Sequence, residues 1–548
     1  MTSKLQRPVL SLACALLATG PAFGAATPSA EERNLTELRN TVVNLLQALV
    51  EKGVLTREQA QQMVQNAQNK AEADLAAKAE QDKAQEKADE GAVRVPYIPE
   101  VVKEEIRKEV VADLTPAVTK EVVAQVNSAS TLSEALPEWV RRMHWSSDVR
   151  LREEGDQFGK GNATNTYLDF LQVNGKGGAI KAGPSGLLNT TEDRDRLRVR
   201  LRLGFDVDLG SGWTAGARLA TGTGEVYATT NQTLGTYGQR YQIATDLAYV
   251  RWTGETASGH QMFTTVGGRF ANPWLSTDLV WYNDLTFEGI ASTYRLNFSS
   301  DRDTHHYVYL TGGAFPLQDV TPSSHDKWLA GGQLGVDFGS PGQSRLRIGA
   351  SYYDYMHIVG QRNAPDGSTL LDYTAPPLLQ KGNTLYDIRN DNDPSTNLYA
   401  LAADYKIADV LAVADWRVLN GYTVSLTGEY LKNVGFKAEE VAARVGQRVD
   451  ARTRGYRADL SFGSNQLREF GSWRAAFGYR YLERDAVLDA FNDQDFHLGG
   501  TDAKGFTVTL DYAFNPRVSA RLRYLSANAI DGAPLDIDVW QFDVNTSF

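Results

Sequence analysis

Residues 194–209 read RDRLRVRLRLGFDVDL, and this stretch decides the fold. From Arg196 onward the residues alternate: arginine, glycine or aspartate occupies one set of positions, and leucine, valine or phenylalanine occupies the other. A period of two predicts a β-strand with one charged and one apolar face. In a soluble sandwich the apolar face would be core, whereas in a membrane barrel it would contact lipid. An arginine facing the bilayer midplane costs about 2–4 kcal/mol, so in a barrel this row would face the lumen.

The same alternation recurs in segments of about ten residues up to Phe548. Sixteen such segments follow Trp139, separated by connections that tend to alternate between short and long, which favours an all-β antiparallel transmembrane barrel with about 16 strands. The tenth strand is predicted at Asn397–Lys406. Residues 407–420 are too apolar for a short turn, and they widen the range to 14–18 strands.

The N-terminal region has the composition of an exported, helical segment. Residues 1–24 combine Lys4 and Arg7 with an apolar run and a small-residue cleavage site, which is typical of a signal peptide. Residues 25–90 are predicted to be helical and periplasmic, and residues 91–137 to form a helical linker before the barrel at 138–548. A heptad seam within the first segment predicts oligomerisation or a helix packed on its own partner, and it consists of Leu35, Leu38, Val42, Leu45 and Leu49.

Composition and motifs exclude several classes of function. The formal net charge of −11 and the lack of a basic domain argue against nucleic-acid binding. No nucleophile motif, metal-ligand spacing or cofactor fingerprint occurs, and the only cysteine lies in the signal peptide. The sequence therefore predicts no enzyme, no catalytic residue, no metal and no cofactor.

The last strand carries a C-terminal aromatic pattern. Trp540, Phe542 and Phe548 share one face, and the chain ends on the last of them. This pattern resembles the signal by which the barrel-assembly machinery recognises outer-membrane proteins. It predicts outer-membrane lipid and that machinery as partners.

Several short motifs resemble the putative porin family of Gram-negative bacteria, whose barrels follow an N-terminal helical segment. They are VPYIPE at 95–100, PEWVRR at 137–142, DVRLR at 148–152, GRFANPW at 268–274 and TDLVW at 277–281. The resemblance implies a general diffusion porin that assembles as a homotrimer. It implies no catalytic residue and no particular substrate.

The predicted function is a water-filled channel for small hydrophilic solutes or ions. The connection 271–284 is predicted to fold inward and to bring acidic groups opposite a basic wall that favours anions. The predicted pore-lining residues are Arg150, Arg152, Arg196, Arg198, Arg200, Arg202, Arg218, Arg521, Arg523, Asp278, Asp284 and Glu288. Two alternatives stay open: the arginines could merely pair with Asp206, Asp208 or neighbouring carboxylates, and the protein could be an envelope tether or adhesin with a plugged barrel.

Overall fold

A computed structural model describes residues 138–222, 229–257, 259–299, 304–321, 324–340, 342–393, 395–418 and 421–548. The predictions for the signal peptide, the periplasmic segment and the linker up to residue 137 therefore lie outside the described residues. No helix within the described ranges is long and apolar enough to cross a membrane.

Sixteen antiparallel strands form a closed barrel, which confirms the predicted fold and strand number. Each strand pairs with its neighbours in the chain, and the last strand pairs with the first from Asp148↔Ser547 to Phe158↔Ile537. The strands are β1 Met143–Phe158, β2 Arg194–Gly210, β3 Trp213–Thr221, β4 Ile243–Glu255, β5 Gln261–Ala271, β6 Thr286–Asn297, β7 His305–Gln318, β8 Lys327–Gly339, β9 Arg345–Met356, β10 Lys406–Arg417, β11 Tyr422–Asn433, β12 Arg454–Ser464, β13 Trp473–Leu482, β14 Ala503–Asn515, β15 Val518–Ala529 and β16 Asp536–Ser547.

Short helices and strands lie outside the barrel strands. The helices are α1 Glu138–Arg141, α2 Phe170–Lys176, α3 Ala179–Ala182 and α4 Ala438–Val445, with 3-10 turns at Gly183–Gly186, Asp372–Thr374 and Asp489–Phe491. Gln232–Thr233 pairs with β2 beyond the end of β3, and Leu385–Asp387 pairs with Tyr399–Leu401 in a separate two-stranded sheet.

The two ends of the barrel differ in their connections. One end, here called the turn end, carries the start of β1, the C-terminus and short links such as 211–212 and 516–517. The opposite loop end carries the long connections, among them the inward loop (272–285), loop 5 (357–405) and loop 7 (483–502). Both chain ends of the barrel thus lie at the turn end, as the alternation of connection lengths predicts.

The predicted tenth strand is wrong. The strand lies at Lys406–Arg417, whereas Ala400–Ala403 and Tyr405 are fully buried in the core formed by the loops. β10 was hard to recognise because it is apolar on both faces: Leu411 is buried inside and Val410 is exposed outside. A strand that is apolar on both faces loses the alternation on which the prediction depends.

The first strand is longer than the sequence indicated, since it continues past Arg152 to Phe158. Its extension is polar on both faces, because Glu154 and Asp156 are buried in the lumen while Glu153 and Gln157 are exposed outside. A segment that is polar on both faces looks like a loop in sequence. The extension was therefore assigned to the following loop.

Candidate pore site

The barrel has its charges inside and its apolar side chains outside. On β2, Arg200 is 6% exposed while Leu197 is 58% exposed. The arginines on strands β15, β1, β2 and β3 lie next to one another around the wall because β16 and β1 close the barrel. We call this group the arginine arc, and it consists of Arg150, Arg152, Arg196, Arg198, Arg200, Arg202, Arg218, Arg521 and Arg523.

Arg152 forms the most buried contact of the arc, across the junction of the first and last strands. Its guanidinium donates to both carboxylate oxygens of Asp543 on β16, from Nε at 2.7 Å and from Nη2 at 3.0 Å. Nη1 donates to Asp495 of loop 7 at 2.8 Å. Burial raises the pKa of Asp495, but the charges of Arg152, Arg523 and Arg198 outweigh burial and hold that pKa below its usual range.

Arg200 and Arg202 contact the inward loop. Both donate to Asp148 on β1, with distances of 2.7 Å from Arg200 Nη2 and 2.6 Å from Arg202 Nε. Both also reach Asp284, at 3.1 Å and 3.4 Å. Asp284 is thus fixed by charge-assisted bonds to the arc, and it brings the end of the inward loop against this wall.

The other arginines of the arc also have carboxylate partners. Arg196 donates to Glu154 and, at 2.8 Å, to Asp156, while Arg198 contacts Glu154 at 3.2 Å. The remaining pairs are Arg218 with Asp246 at 2.6 Å, Arg521 with Asp511 at 2.6 Å, Arg523 with Asp493 and Asp495 at 3.4 Å, and Arg150 with Asp543 at 3.7 Å.

The arginine arc is surrounded by carboxylates that lie within 4 Å of its guanidinium groups. The nine arginines face nine carboxylates: Asp148, Glu154, Asp156, Asp246, Asp284, Asp493, Asp495, Asp511 and Asp543. Two of these carboxylates are shared with arginines outside the arc, Asp493 with Arg480 at 2.9 Å and Asp511 with Arg474 at 3.6 Å. The arc is therefore largely neutralised, whereas the sequence had indicated a basic wall. None of these partners is Asp206 or Asp208.

The inward loop does fold into the lumen, and its two acidic residues meet different walls. Asp278 pairs with Arg457 on β12 and, at 3.3 Å, with Arg480 on β13. Asp284 pairs with the arginine arc, so the loop is tied to two separate parts of the barrel wall. Glu288 joins neither group: it pairs with Arg269 on β5 and its side chain is 55% exposed.

The carboxylates that neutralise the arc were not predicted from the sequence. Glu154 and Asp156 continue the inward positions of β1 beyond Arg152, so extending the period-two pattern would have identified them. Asp493 and Asp495 belong to loop 7, and no local pattern indicates that this loop descends into the lumen.

An apolar core that the sequence analysis also missed fills the lumen beside β5–β10. Its centre is Trp281 of the inward loop, which packs edge-on against Phe287 and Tyr353 with centroids 4.9 Å and 5.2 Å apart. Residues of loops 5 and 7, such as Ile388 and Val487, complete the cluster. The inward apolar residues of the contributing strands, such as Phe315 and Leu329, could be identified from the sequence. The loops that cover them could not.

Polar cavities remain on the charged side and towards the turn end. One of about 490 Å³ lies at the loop end of the arc and is lined by Glu154, Asp156, Arg196, Arg198 and Asp495 among others. Another, of about 300 Å³, lies near the turn end beside Arg347, Asp415 and Arg474.

The C-terminal aromatic residues lie on the outer surface at the junction of β16 and β1. Trp540, Phe542 and Phe548 are exposed, and Phe548 exchanges two backbone hydrogen bonds with Ser147 at 2.8 Å and 3.0 Å. The heptad residues Leu35, Leu38, Val42, Leu45 and Leu49 lie outside the described residues.

Comparisons with known proteins identify the family. The solved structures similar to this chain include three that each cover 74% of it: OprB of Pseudomonas putida (11% identity, TM-score 0.42, 94% of that chain), OmpF of Salmonella typhi in a complex with daunomycin (11%, 0.38, 97%) and the outer membrane channel DcaP of Acinetobacter baumannii (10%, 0.38, 97%). These likenesses support no inference about solutes or subunit number. No curated protein matches the chain. A family model described as "Putative porin" matches residues 39–548, so the chain belongs to the putative porin family.

Proposed function

We propose that this outer-membrane barrel is a channel for the passive diffusion of small hydrophilic solutes and ions. The observation that carries the proposal is the reversal of polarity across the wall: leucines of β2 face outward while its arginines face the lumen. In a channel, charges on the inner wall control which ions and solutes pass.

The selectivity element in this proposal is the charged surface where the inward loop meets the arginine arc. Asp284 of the loop pairs directly with Arg200 and Arg202, at 3.1 Å and 3.4 Å. Fixed charges of this kind orient polar solutes, and they disfavour apolar solutes, which cannot form polar contacts in place of the displaced water. Because carboxylates largely neutralise the arc, we expect the anion preference predicted from the arginines to be weak.

The test is the reversal potential of the purified full chain in a planar bilayer under a salt gradient. Stepwise conductance with a small anion preference is the expected result. The double variant Arg200→Ala/Arg202→Ala should move the reversal potential towards cation preference, because it leaves Asp148 and Asp284 unpaired. Equal permeability of charged and neutral solutes in the wild type and in the double variant would exclude these arginines as selectivity elements.

A second candidate function is an envelope tether or adhesin with a plugged barrel. The apolar core around Trp281 favours it, because residues of loops 5 and 7, such as Ile388 and Val487, are buried there inside the barrel. Absence of conductance from a correctly folded barrel would bring this candidate forward. Deletion of residues 29–90 should then loosen the envelope, whereas a channel function predicts unchanged conductance.

The homotrimer and the recognition by the barrel-assembly machinery remain proposals. Sedimentation of the full chain with Leu38→Asp and Val42→Asp tests whether the heptad seam holds subunits together, since buried charges would disrupt such a seam. Removal of Phe548 tests the assembly signal, with a loss of folded barrel in the outer membrane as the expected result.

A further inference from the structure

The barrel wall parts between β6 and β7 at the loop end. The ladder between these strands runs from Ile290↔Ala314 to Asn297↔Tyr307. Residues 286–289 of β6 pair only with β5, and residues 315–318 of β7 pair only with β8. Four residues on each side are therefore unpaired across the wall, a gap about 13 Å long at 3.3 Å per residue.

A glycine pair marks the point where the strands separate. Gly268 and Gly289 are register partners on β5 and β6, with φ of 115° and 136°. A Cβ on Gly289 would lie 2.2 Å from the carbonyl oxygen of Ala314. Only glycine allows this close approach and this backbone conformation, so the residue at the end of the β6–β7 ladder is specified by the local geometry.

An apolar cavity of about 290 Å³ occupies the gap. Its inner wall includes Trp281 and Leu285 of the inward loop, together with Phe315 and Leu329. Glu288, Pro316 and Pro377 also line it and are exposed, so the cavity opens on their side. A cavity of about 150 Å³ already holds a benzene ring, so this one has room for a medium-sized apolar group.

Two polar groups in this apolar cavity lack a full set of partners. Lys327 is 3% exposed, and its Nζ donates to the carbonyl oxygens of Thr374 and Ala375, both at 3.1 Å. No carboxylate among the described residues lies within 4 Å of it, in contrast to every arginine of the arc. Its register partner Gln318 has a buried Oε1 without a hydrogen-bond partner.

We propose that this cavity binds a single-chain alkyl carboxylate. The carboxylate accepts a hydrogen bond from Lys327 Nζ and supplies the negative charge that the protein does not provide. The alkyl chain lies against Trp281, Leu285 and Phe315, and its end leaves through the gap between β6 and β7. The site is separate from the arginine arc. It binds an amphiphile whose alkyl chain the charged groups of the arc would disfavour.

The test measures binding of octanoate and of octanol to the full chain in lipid nanodiscs, with empty discs as the background. Loss of one charge-assisted hydrogen bond weakens binding by about tenfold or more, so Lys327→Met should lose octanoate affinity by at least that factor. Octanol binding should be retained, because the apolar walls are unchanged. Lys327→Arg keeps the charge and should retain octanoate.

The matched control is Lys406→Met at the same end of the barrel, where Nζ already pairs with Asp354 at 2.9 Å. This variant should bind octanoate as the wild type does. Leu285→Trp fills the cavity and should abolish binding of both ligands, which keeps the proposal testable if Lys327→Met does not fold. Equal losses of octanoate and octanol in Lys327→Met, equal effects of the two lysine variants, or octanoate binding no greater than in empty discs would overturn the proposal. Conductance is independent of this site, so failure here leaves the channel function untouched.

Discussion

The two sides of the lumen are stabilised by different forces. On the arc side, arginines and carboxylates pair across strands and loops, while polar cavities remain between them. On the side of β5–β10, aromatic and aliphatic residues exclude water and leave an apolar cavity at the gap. The inward loop contacts both sides, through Asp284 on one and Trp281 on the other. Under the proposed channel function, solutes would pass on the arc side, whereas the apolar side holds the inward loop in place.

The largest loss of stability is expected from a substitution on the apolar side. Trp281→Ala removes a ring that is 1% exposed, and truncation of a buried tryptophan costs about 3–5 kcal/mol. Unfolding temperature in detergent should fall and channel noise should rise as the inward loop loosens. Trp145→Ala is the control because its ring is 62% exposed on the outer surface. If the two variants were equally stable, the core would not hold the loop.

The charged side should respond almost as strongly at its most buried pair. Arg152→Met leaves Asp543 and Asp495 buried without their main partner, at a cost of about 3 kcal/mol. Arg521→Met removes a pair in which the arginine side chain is 39% exposed, and should cost less than about 1 kcal/mol. Chemical unfolding of both variants measures the difference, and similar values would mean that the lumen screens all pairs alike.

The contact of loops 5 and 7 should depend on pH through Lys381. Burial lowers the pKa of Lys381 to about 7, against an ordinary 10.5, and its Nζ donates to Nδ1 of His497 at 2.7 Å, near Asp489 and Asp502. Between these two pKa values, released loops bind more protons than docked loops, so docking strengthens as the pH rises from about 7 to 10.5. The free energy of docking changes by at most about 1.4 kcal/mol per pH unit. Unfolding temperatures of the wild type and Lys381→Met should diverge in this window and run parallel below it.

The smallest change in free energy is expected for ion selectivity, when a single carboxylate of the inward loop is neutralised. Asp284→Asn removes one negative charge from the wall and leaves Arg200 and Arg202 to share Asp148, which should raise the anion-to-cation permeability ratio by about three- to fivefold. Glu288→Gln is the matched control, since Glu288 lies outside the arc. A shift of equal size in both variants would place the selectivity element at the mouth instead.

The sequence predicted the barrel well where one face of a strand was apolar and the other charged. β2 was assigned within a residue because its arginines and leucines never exchange faces. β10 was displaced because Ile407 and Leu411 are apolar on the inner face as well. Only one half of the site was predicted. The arginines follow from the periodicity of the strands. Asp495 contacts them because loop 7 folds into the lumen, and that fold depends on contacts between residues far apart in the chain.

The junction of β16 and β1 sets the order in which the pore can form. Arg152 and Asp543 are 391 residues apart, and Phe548 completes the ladder on Ser147. Contacts of such long range form late, because the chain between them must be ordered first. The pair of Arg152 with Asp543 is therefore absent from a barrel that has not closed, whereas pairs between neighbouring strands, such as Arg200 with Asp148, do not depend on closure.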